Sequence, residues 1–283
     1  MRDFSGDTAL LSLNTATVQA QWTLAQCIEG CARHDIGGIA PWRDKLAECG
    51  ARRAARLIRD AGLRVTGLCR GGMFPAATPA GRRAALDDNR RAIDDAAAIG
   101  AECLILVVGG LPEGSKDIAG ARMQVRDGIA ALLDHARAAG MPLAIEPLHP
   151  MYAADRACVN TLKQANDLCD SLGASTDGGV GVAVDVYHVW WDPELEAEIA
   201  RAGAAGRILG FHVSDWLVPT IDLLLDRGMM GDGVIDIPKI RGWVEDAGYS
   251  GASEVEIFSK DNWWRREPDD VLATCIERHQ TAV

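Results

Sequence analysis

The sequence predicts a single α/β domain over residues 1–283, folded as a (β/α)8 barrel of the TIM type. Short apolar runs rich in β-branched residues alternate with longer Ala-, Arg- and Asp-rich stretches that have helical periodicity. The alternation continues from one end to the other with no linker or low-complexity segment. The length also fits, because such barrels are typically about 250 residues long and form one unit.

Eight predicted strands lie in this pattern, and most are apolar nearly throughout, as expected of parallel strands covered on both faces. They span residues 10–14, 36–40, 64–69, 103–108, 142–146, 180–186, 208–213 and 252–258. An open, doubly wound sheet is the alternative for eight parallel units. No GxGxxG motif follows the first strand, so the dinucleotide-binding signature of that fold is missing and the closed barrel is favoured.

A predicted helix follows each strand. The helices span residues 19–34, 44–61, 79–99, 117–139, 158–172, 193–204, 237–247 and 268–280. Gly62, Gly100, Gly140 and Gly173 each stand between a helix and the next strand, where a left-handed C-cap favours glycine. These glycines mark the boundaries of the βα units.

The composition is that of a soluble globular protein, with 48% hydrophobic and 24% charged residues. A net charge of −11 argues against a nucleic-acid partner, because such binding relies on Lys and Arg neutralising phosphates. No apolar run approaches the roughly 18 residues of a membrane-spanning helix, and the N-terminus has no export signal. We therefore expect a cytoplasmic protein without nucleic-acid or membrane partners, whose eight scattered cysteines are reduced core thiols.

Four consecutive predicted strands end in potential metal ligands. The fifth strand ends with Glu146, the sixth contains Asp185 near its end, the seventh contains His212, and the eighth contains Glu256. Active sites of such barrels lie at the C-terminal ends of the strands, so these side chains are expected to converge.

A cation explains this convergence better than separate structural roles. One carboxylate at a strand end is more often a cap or an ion-pair partner. Three on one rim would repel each other and would be costly to bury, and a cation removes both problems. Three carboxylates with one imidazole suit Mn²⁺, Mg²⁺, Co²⁺ or Zn²⁺. We predict one divalent metal ion, with Mn²⁺ as first choice, bound by Glu146, Asp185, His212 and Glu256.

The eighth strand leaves an ambiguity, because Glu254 and Glu256 share a face under strand alternation. We choose Glu256 as the ligand, since it lies nearer the C-terminal end. Glu254 is expected deeper in the barrel, as a satisfied polar group of the interior that pairs with a basic side chain.

Four further side chains are candidates for substrate contact. His188 either donates to a substrate oxygen or orients Asp185 from outside the metal site. His149 either contacts substrate or packs within its loop. Arg227, in a Gly-rich loop after the seventh strand, binds a substrate oxygen or is a solvated loop charge. Arg70, in CRGGMF after the third strand, is the fourth candidate.

Several segments around these residues carry a family resemblance: IEPL (145–148), DVYH (185–188), HVSD (212–215), GDGVID (231–236) and GYSGASEVEIF (248–258). Over nearly the whole chain the sequence resembles the sugar phosphate isomerase/epimerase family of xylose isomerase-like TIM barrels. The resemblance implies that Glu146, Asp185, His212 and Glu256 ligate one metal ion. It also implies that Glu146 and Glu256 act as an acid/base pair on opposite faces of the substrate, and that the protein is a homo-oligomer, a dimer or tetramer.

The predicted function is that of a divalent-metal-dependent isomerase or epimerase acting on a sugar or keto-sugar. A metal bound to a carbonyl and a neighbouring hydroxyl lowers the pKa of the adjacent C–H, so a carboxylate can remove the proton and a metal-stabilised enediolate forms. Return of the proton to the other face epimerises the sugar, and return to the neighbouring carbon isomerises it. Loss of a β-substituent instead gives elimination.

One departure from the family pattern keeps other functions open. Ketose 3-epimerases carry an Arg six residues after the metal-binding His, where this chain has Val218, although Arg227 is available as a substitute. A metal-dependent lyase, such as a 3-keto-glycoside eliminase or an inosose dehydratase, is the alternative, with His149 or His188 as base. A non-enzymatic sugar-binding or partner subunit is the alternative from another class.

Overall fold

The computed structural model describes residues 2–173 and 179–283, and the predicted barrel is confirmed. Its strands are, in chain order, β1 Leu11–Asn14, β2 Gly38–Ala40, β3 Arg64–Val65, β4 Leu68–Gly72, β5 Leu104–Val107, β6 Leu143–Ile145, β7 Val180–Asp185, β8 Ile208–Val213, β9 Asp215–Trp216, β10 Arg227–Gly228 and β11 Ser253–Val255. Within the described residues, the main sheet is parallel and has the order β3-β2-β1-β11-β8-β7-β6-β5-β4.

The predicted third strand is divided into β3 and β4, which lie at the two edges of this sheet. Because both belong to one stretch of chain, the sheet curves round until its edges meet. Parallel bridges from Trp42 to Cys69 and from Val65 to Ala101 add to the closure. The break falls at Thr66 and Gly67: glycine is a weak strand former, and the Thr66 hydroxyl donates to Glu254 in the barrel interior.

The helices are α1 Leu24–Arg33, α2 Arg43–Cys49, α3 Ala51–Asp60, α4 Pro79–Ile99, α5 Ile118–Ala130, α6 Leu133–Ala138, α7 Leu162–Ser171, α8 Val186–Val189, α9 Leu195–Ala204, α10 Ile237–Asp246 and α11 Pro268–Thr281. The predicted helix 44–61 is two helices, because Gly50 between them has a φ of 83°, a left-handed conformation that favours glycine. The predicted helix 117–139 is likewise divided into α5 and α6.

The apolar residues form two clusters. The larger includes side chains from both the sheet and the surrounding helices. The smaller contains Cys69, Cys103, Ile105, Ala144 and Ala183, from neighbouring strands on the inner side of the barrel. All eight cysteines are free thiols, as predicted. Within the described residues no helix has the length and apolar character needed to cross a membrane.

Two short elements that the sequence did not predict surround the barrel mouth. Helix α8 begins directly after β7, so the last residue of the predicted sixth strand, Val186, is helical. Strands β9 and β10 form an antiparallel hairpin after β8, with Arg227 opposite Trp216. The hairpin returns the chain to the end of the barrel at which β8 finishes.

Candidate metal centre and substrate cleft

Four potential ligands lie together at the C-terminal ends of neighbouring strands. Glu146 directly follows β6 and Glu256 directly follows β11, while Asp185 ends β7 and His212 lies near the end of β8. Asp185 and His212 are register partners in the β7–β8 pair. All four side chains are buried, and one potential ligand atom of each lies within 4.8 Å of the others. The structure thus brings the four sequence-predicted ligands to one point.

Two of these ligand atoms are close without being hydrogen-bonded. Oε1 of Glu146 and Nδ1 of His212 are 2.9 Å apart. Neither atom makes a hydrogen bond within the part of the chain that the structure describes. A buried polar atom without a hydrogen bond is costly, and a cation coordinated by both atoms would satisfy both. The donor set therefore fits a divalent ion.

The charges around this group do not balance. Glu146, Asp185, Glu254 and Glu256 are all buried. The guanidinium of Arg227 lies among them, with Nη1 3.1 Å from Oδ2 of Asp185 and 3.2 Å from Oε2 of Glu256. One guanidinium does not neutralise four carboxylates, so the group must take up protons or a cation.

The excess negative charge holds protons in the site. Burial raises the pKa of Glu146 to about 7, although His212 beside it acts in the opposite direction. Burial lowers the pKa of His212, but the carboxylates around it, Glu254 foremost, outweigh burial and raise this pKa well above its usual range. Protons therefore occupy the metal-free group and compete with a cation for the same atoms.

Glu254 lies deeper in the barrel than Glu256 and has its own partners. Its carboxylate accepts hydrogen bonds from Nδ2 of Asn14 at 2.8 Å and from the Thr66 hydroxyl at 2.7 Å. Asn14 also donates to Glu256, at 3.0 Å. Oε1 of Glu254 is 3.5 Å from Nε2 of His212. Glu254 is therefore placed to orient the His212 ring so that Nδ1 faces the other ligands.

His188 lies on α8 and is buried beside the ligands. Its Nδ1 accepts a hydrogen bond from the main-chain N–H of His149 at 3.2 Å. Burial lowers the pKa of His188 to about 3, so the ring is neutral and, with Nδ1 accepting, carries its proton on Nε2. Nε2 lies 3.1 Å from Nη2 of Arg227, and both atoms are then donors. A substrate oxygen between them would accept from both.

The hairpin of β9 and β10 carries Arg227 into the site. The main-chain N–H of Arg227 donates to the carbonyl of Phe258 at 2.9 Å. Its guanidinium lies 4.4 Å from the ring centre of Tyr187 and 5.1 Å from that of Phe258. The side chain is buried, so of the two alternatives for Arg227 the solvated loop charge is excluded.

His149 has a supporting position. Its ring lies 4.9 Å from the ring of Trp216 and 5.7 Å from that of Trp191. Its Nδ1 accepts from the main-chain N–H of Met151 at 3.3 Å. The ring thus packs against tryptophans of two neighbouring loops, while the main chain of His149 holds His188 in place.

Asp215 fixes the segment GDGVID next to the hairpin. Its buried carboxylate accepts hydrogen bonds from four main-chain N–H groups, those of Trp216, Gly231, Gly233 and Ile235. This motif residue is therefore structural.

A narrow cleft is lined by two of the four candidate ligands, Glu146 and Glu256. Its walls include Trp42 and Phe258, whose rings lie 5.4 Å apart. The hydroxyls of Tyr152 and Tyr187 both donate to the main-chain carbonyl of Leu223, which tethers the segment that contributes Leu224 to the cleft. The polar lining consists of Arg70, Glu146, Tyr152, Arg156, His188, Arg227 and Glu256.

Sequence analysis did not identify Arg156 or Tyr152. Both lie in the loop between β6 and α7, close to the turn Pro150–Tyr152. Loops at this end of the barrel form the active site in proteins of this architecture. The sequence signal that could have identified Arg156 is therefore its place in the loop after the strand that ends at Glu146.

Comparisons with known proteins agree with this architecture. The model of the xylose isomerase-like TIM barrel family matches residues 26–275. Protein SMc04130 from Sinorhizobium meliloti 1021 is 61% identical over 96% of this chain and 98% of that chain, with a TM-score of 0.94. A search of curated proteins finds no match.

Two more distant solved structures share the fold. The IolI protein with a bound zinc atom is 19% identical over 96% of this chain and 99% of that chain, with a TM-score of 0.81. The 3-keto-D-glucoside 4-epimerase YcjR from E. coli is 17% identical over 93% of this chain and 97% of that chain, with a TM-score of 0.73.

Substitution of Glu254 and of Glu256 tests which of the two is a metal ligand and which one only positions its neighbours. We expect Glu256→Gln to weaken binding of Mn²⁺ or Zn²⁺ more than Glu254→Gln, because only Glu256 lies among the four ligand atoms. Loss of an orienting partner typically costs about 10- to 100-fold in metal affinity. Calorimetric titration with the metal measures the affinity of each variant, and Glu102→Gln, which changes an exposed residue, is the control. Normal binding by Glu256→Gln together with no binding by Glu254→Gln would reverse the assignment.

Metal binding should tighten as the pH rises. Because the pKa of Glu146 is about 7, its carboxylate is mostly protonated at pH 6 and mostly ionised at pH 8. Metal binding must displace this proton, so the affinity should increase by roughly tenfold over that interval, and further if His212 also releases a proton. Metal titrations in the two buffers at constant ionic strength measure the change. Equal affinity at both pH values would contradict the raised pKa of Glu146.

Proposed function

Because the chain belongs to the xylose isomerase-like TIM barrel family, we propose that it is a divalent-metal-dependent sugar isomerase or epimerase. One observation carries the proposal: three carboxylates and an imidazole converge within 4.8 Å beside a cleft with aromatic walls and hydrogen-bond donors. The donor set supports a metal site, and the cleft is suited to a small polar substrate.

Glu146, Asp185, His212 and Glu256 would hold the ion, and Mn²⁺ is our first choice for this donor set. Zinc is the second choice, supported by the zinc atom in the IolI structure. When bound, the ion supplies Lewis-acid stabilisation of the negative charge that develops on the substrate oxygens during proton removal. The same charge neutralises the excess of carboxylates that Arg227 leaves unpaired.

Glu146 and Glu256 are the proposed acid/base pair. One carboxylate removes the proton from the carbon next to the carbonyl, and a proton then returns to the opposite face or to the neighbouring carbon. The first outcome is an epimer, and the second exchanges aldose and ketose.

His188 and Arg227 would position the substrate. Nε2 of His188 and Nη2 of Arg227 are donors 3.1 Å apart, and a substrate oxygen that accepts from both is fixed relative to Glu256, 3.2 Å from the same guanidinium. Arg227 thereby takes the place of the arginine that ketose 3-epimerases carry at the position of Val218. His149 supports this arrangement through its main-chain hydrogen bond to His188.

Proton exchange from D₂O tests the proposal. The metal-loaded protein should introduce deuterium at the carbon next to the carbonyl of at least one member of a panel of ketoses, inososes and 3-keto-glycosides. Glu146→Gln and Glu256→Gln should reduce the exchange rate by about 100-fold or more, since a positioned general base contributes about 10²–10⁴. Glu102→Gln should leave the rate unchanged.

The products, followed by NMR, separate the candidate reactions. An epimer or an aldose–ketose pair agrees with the proposal, whereas an unsaturated product assigns the lyase alternative. No exchange with any substrate class, in protein shown to contain metal, would contradict the proposed chemistry and favour a binding subunit.

A further inference from the structure

Two arginines of the cleft have no charged partner. Arg70 lies in β4 and Arg156 in the loop before α7, and both line the cleft with Glu146 and Glu256. Neither guanidinium makes a hydrogen bond or an ion pair with the residues described, and the Nε atom of each is buried without a partner. The nearest ring to Arg156 is that of Tyr152, 5.6 Å from the guanidinium carbon.

Other arginines at the same end of the barrel are paired. Arg43 makes a bidentate ion pair with Asp88, at 2.8 and 3.1 Å. Arg227 contacts the carboxylates of Asp185 and Glu256. Arg70 and Arg156 therefore differ from these two arginines in having no counter-ion among the described residues.

Arg70 and Arg156 also act on each other. Burial lowers the pKa of Arg70, and the charge of Arg156 lowers it further. Two half-buried like charges without counter-ions are unfavourable, and an anion between them removes the repulsion and satisfies the N–H donors. The planar guanidinium binds the oxygens of a carboxylate or phosphate in pairs, which makes such anions the natural ligands.

We propose that Arg70 and Arg156 form an oxyanion-binding subsite, which takes a phosphate or carboxylate group carried by the substrate. This inference rests on the proposed function, in which the cleft receives a sugar whose carbonyl end faces the four ligands. It narrows the substrate class from sugars in general to sugars with an acidic group. One end of such a substrate carries oxygen atoms that can bind a cation held by the carboxylates. The other end carries a negative charge that can pair with Arg70 and Arg156.

Titration of inorganic phosphate tests the subsite without any turnover. Calorimetry at constant ionic strength should detect phosphate binding to the wild-type protein. Arg70→Gln and Arg156→Gln should each weaken it by about tenfold or more, because a charge-assisted hydrogen bond is lost. Arg53→Gln, which removes an exposed charge on α3, is the matched control and should bind as the wild type does.

Two further measurements keep the test decisive. Arg156→Lys retains the charge but not the paired donors, so it should bind more weakly than wild type and more tightly than Arg156→Gln. Thermal unfolding by circular dichroism checks that each variant is folded. Phosphate binding that vanishes in EDTA, or that is equal in all variants, would overturn the subsite.

Glycerate in place of phosphate distinguishes the two acidic groups, and the anion with the larger arginine-dependent affinity identifies the group on the substrate. Deuterium exchange on the panel of ketoses, inososes and 3-keto-glycosides, extended with fructose and fructose 6-phosphate, then provides the separate test of the chemistry. If no sugar of this extended panel exchanges while phosphate binding still depends on both arginines, the proposed reaction fails and the subsite stands. If fructose exchanges and neither anion binds, the reaction stands and the subsite fails.

Discussion

The repulsion between buried carboxylates at one end of the barrel is the constraint on which the site depends. Glu146, Asp185, Glu254 and Glu256 lie among apolar strands, and Arg227 is placed between two of them. Burying this many charges is tolerable only if protons or a cation balance them. The raised pKa values of Glu146 and His212 are consistent with this excess of buried negative charge in the metal-free chain. In the proposed function a divalent ion would replace those protons and would be bound by both Glu146 and His212.

Side chains outside the ligand group hold this arrangement in place. Asn14 bridges Glu254 and Glu256 from β1, and Thr66 holds Glu254 from the break in the third strand. On the other side, the main chain of His149 fixes His188. Each support comes from a different βα unit, so closure of the barrel is needed before the site can form.

The convergence of the four candidate ligands could be predicted from the sequence, because the ends of the apolar strands are visible in it. Glu146 and Asp185 interrupt apolar runs, and the rule that strand ends converge is sufficient to bring them together. The choice of Glu256 over Glu254 followed from depth along the strand, and the contacts of Glu254 with Asn14 and Thr66 agree with it.

Arg227 and Arg156 show why the remainder of the site could not be predicted. The burial of Arg227 depends on the hairpin of β9 and β10, which has two residues in each strand and no clear sequence period. Arg156 lies in a loop, where no periodicity relates a residue to the cleft. The ring of His149 packs on Trp191 and Trp216, a contact between separate loops that the sequence does not reveal.

Anomalous X-ray scattering from crystals grown with Mn²⁺ tests the central claim most directly. The account predicts one anomalous peak per chain, within roughly 2.0–2.3 Å of a nitrogen or oxygen atom from each of Glu146, Asp185, His212 and Glu256. A peak bound by Glu254 in place of Glu256 would contradict the ligand assignment. No peak at the barrel mouth, in crystals that contain Mn²⁺, would contradict the metal site itself.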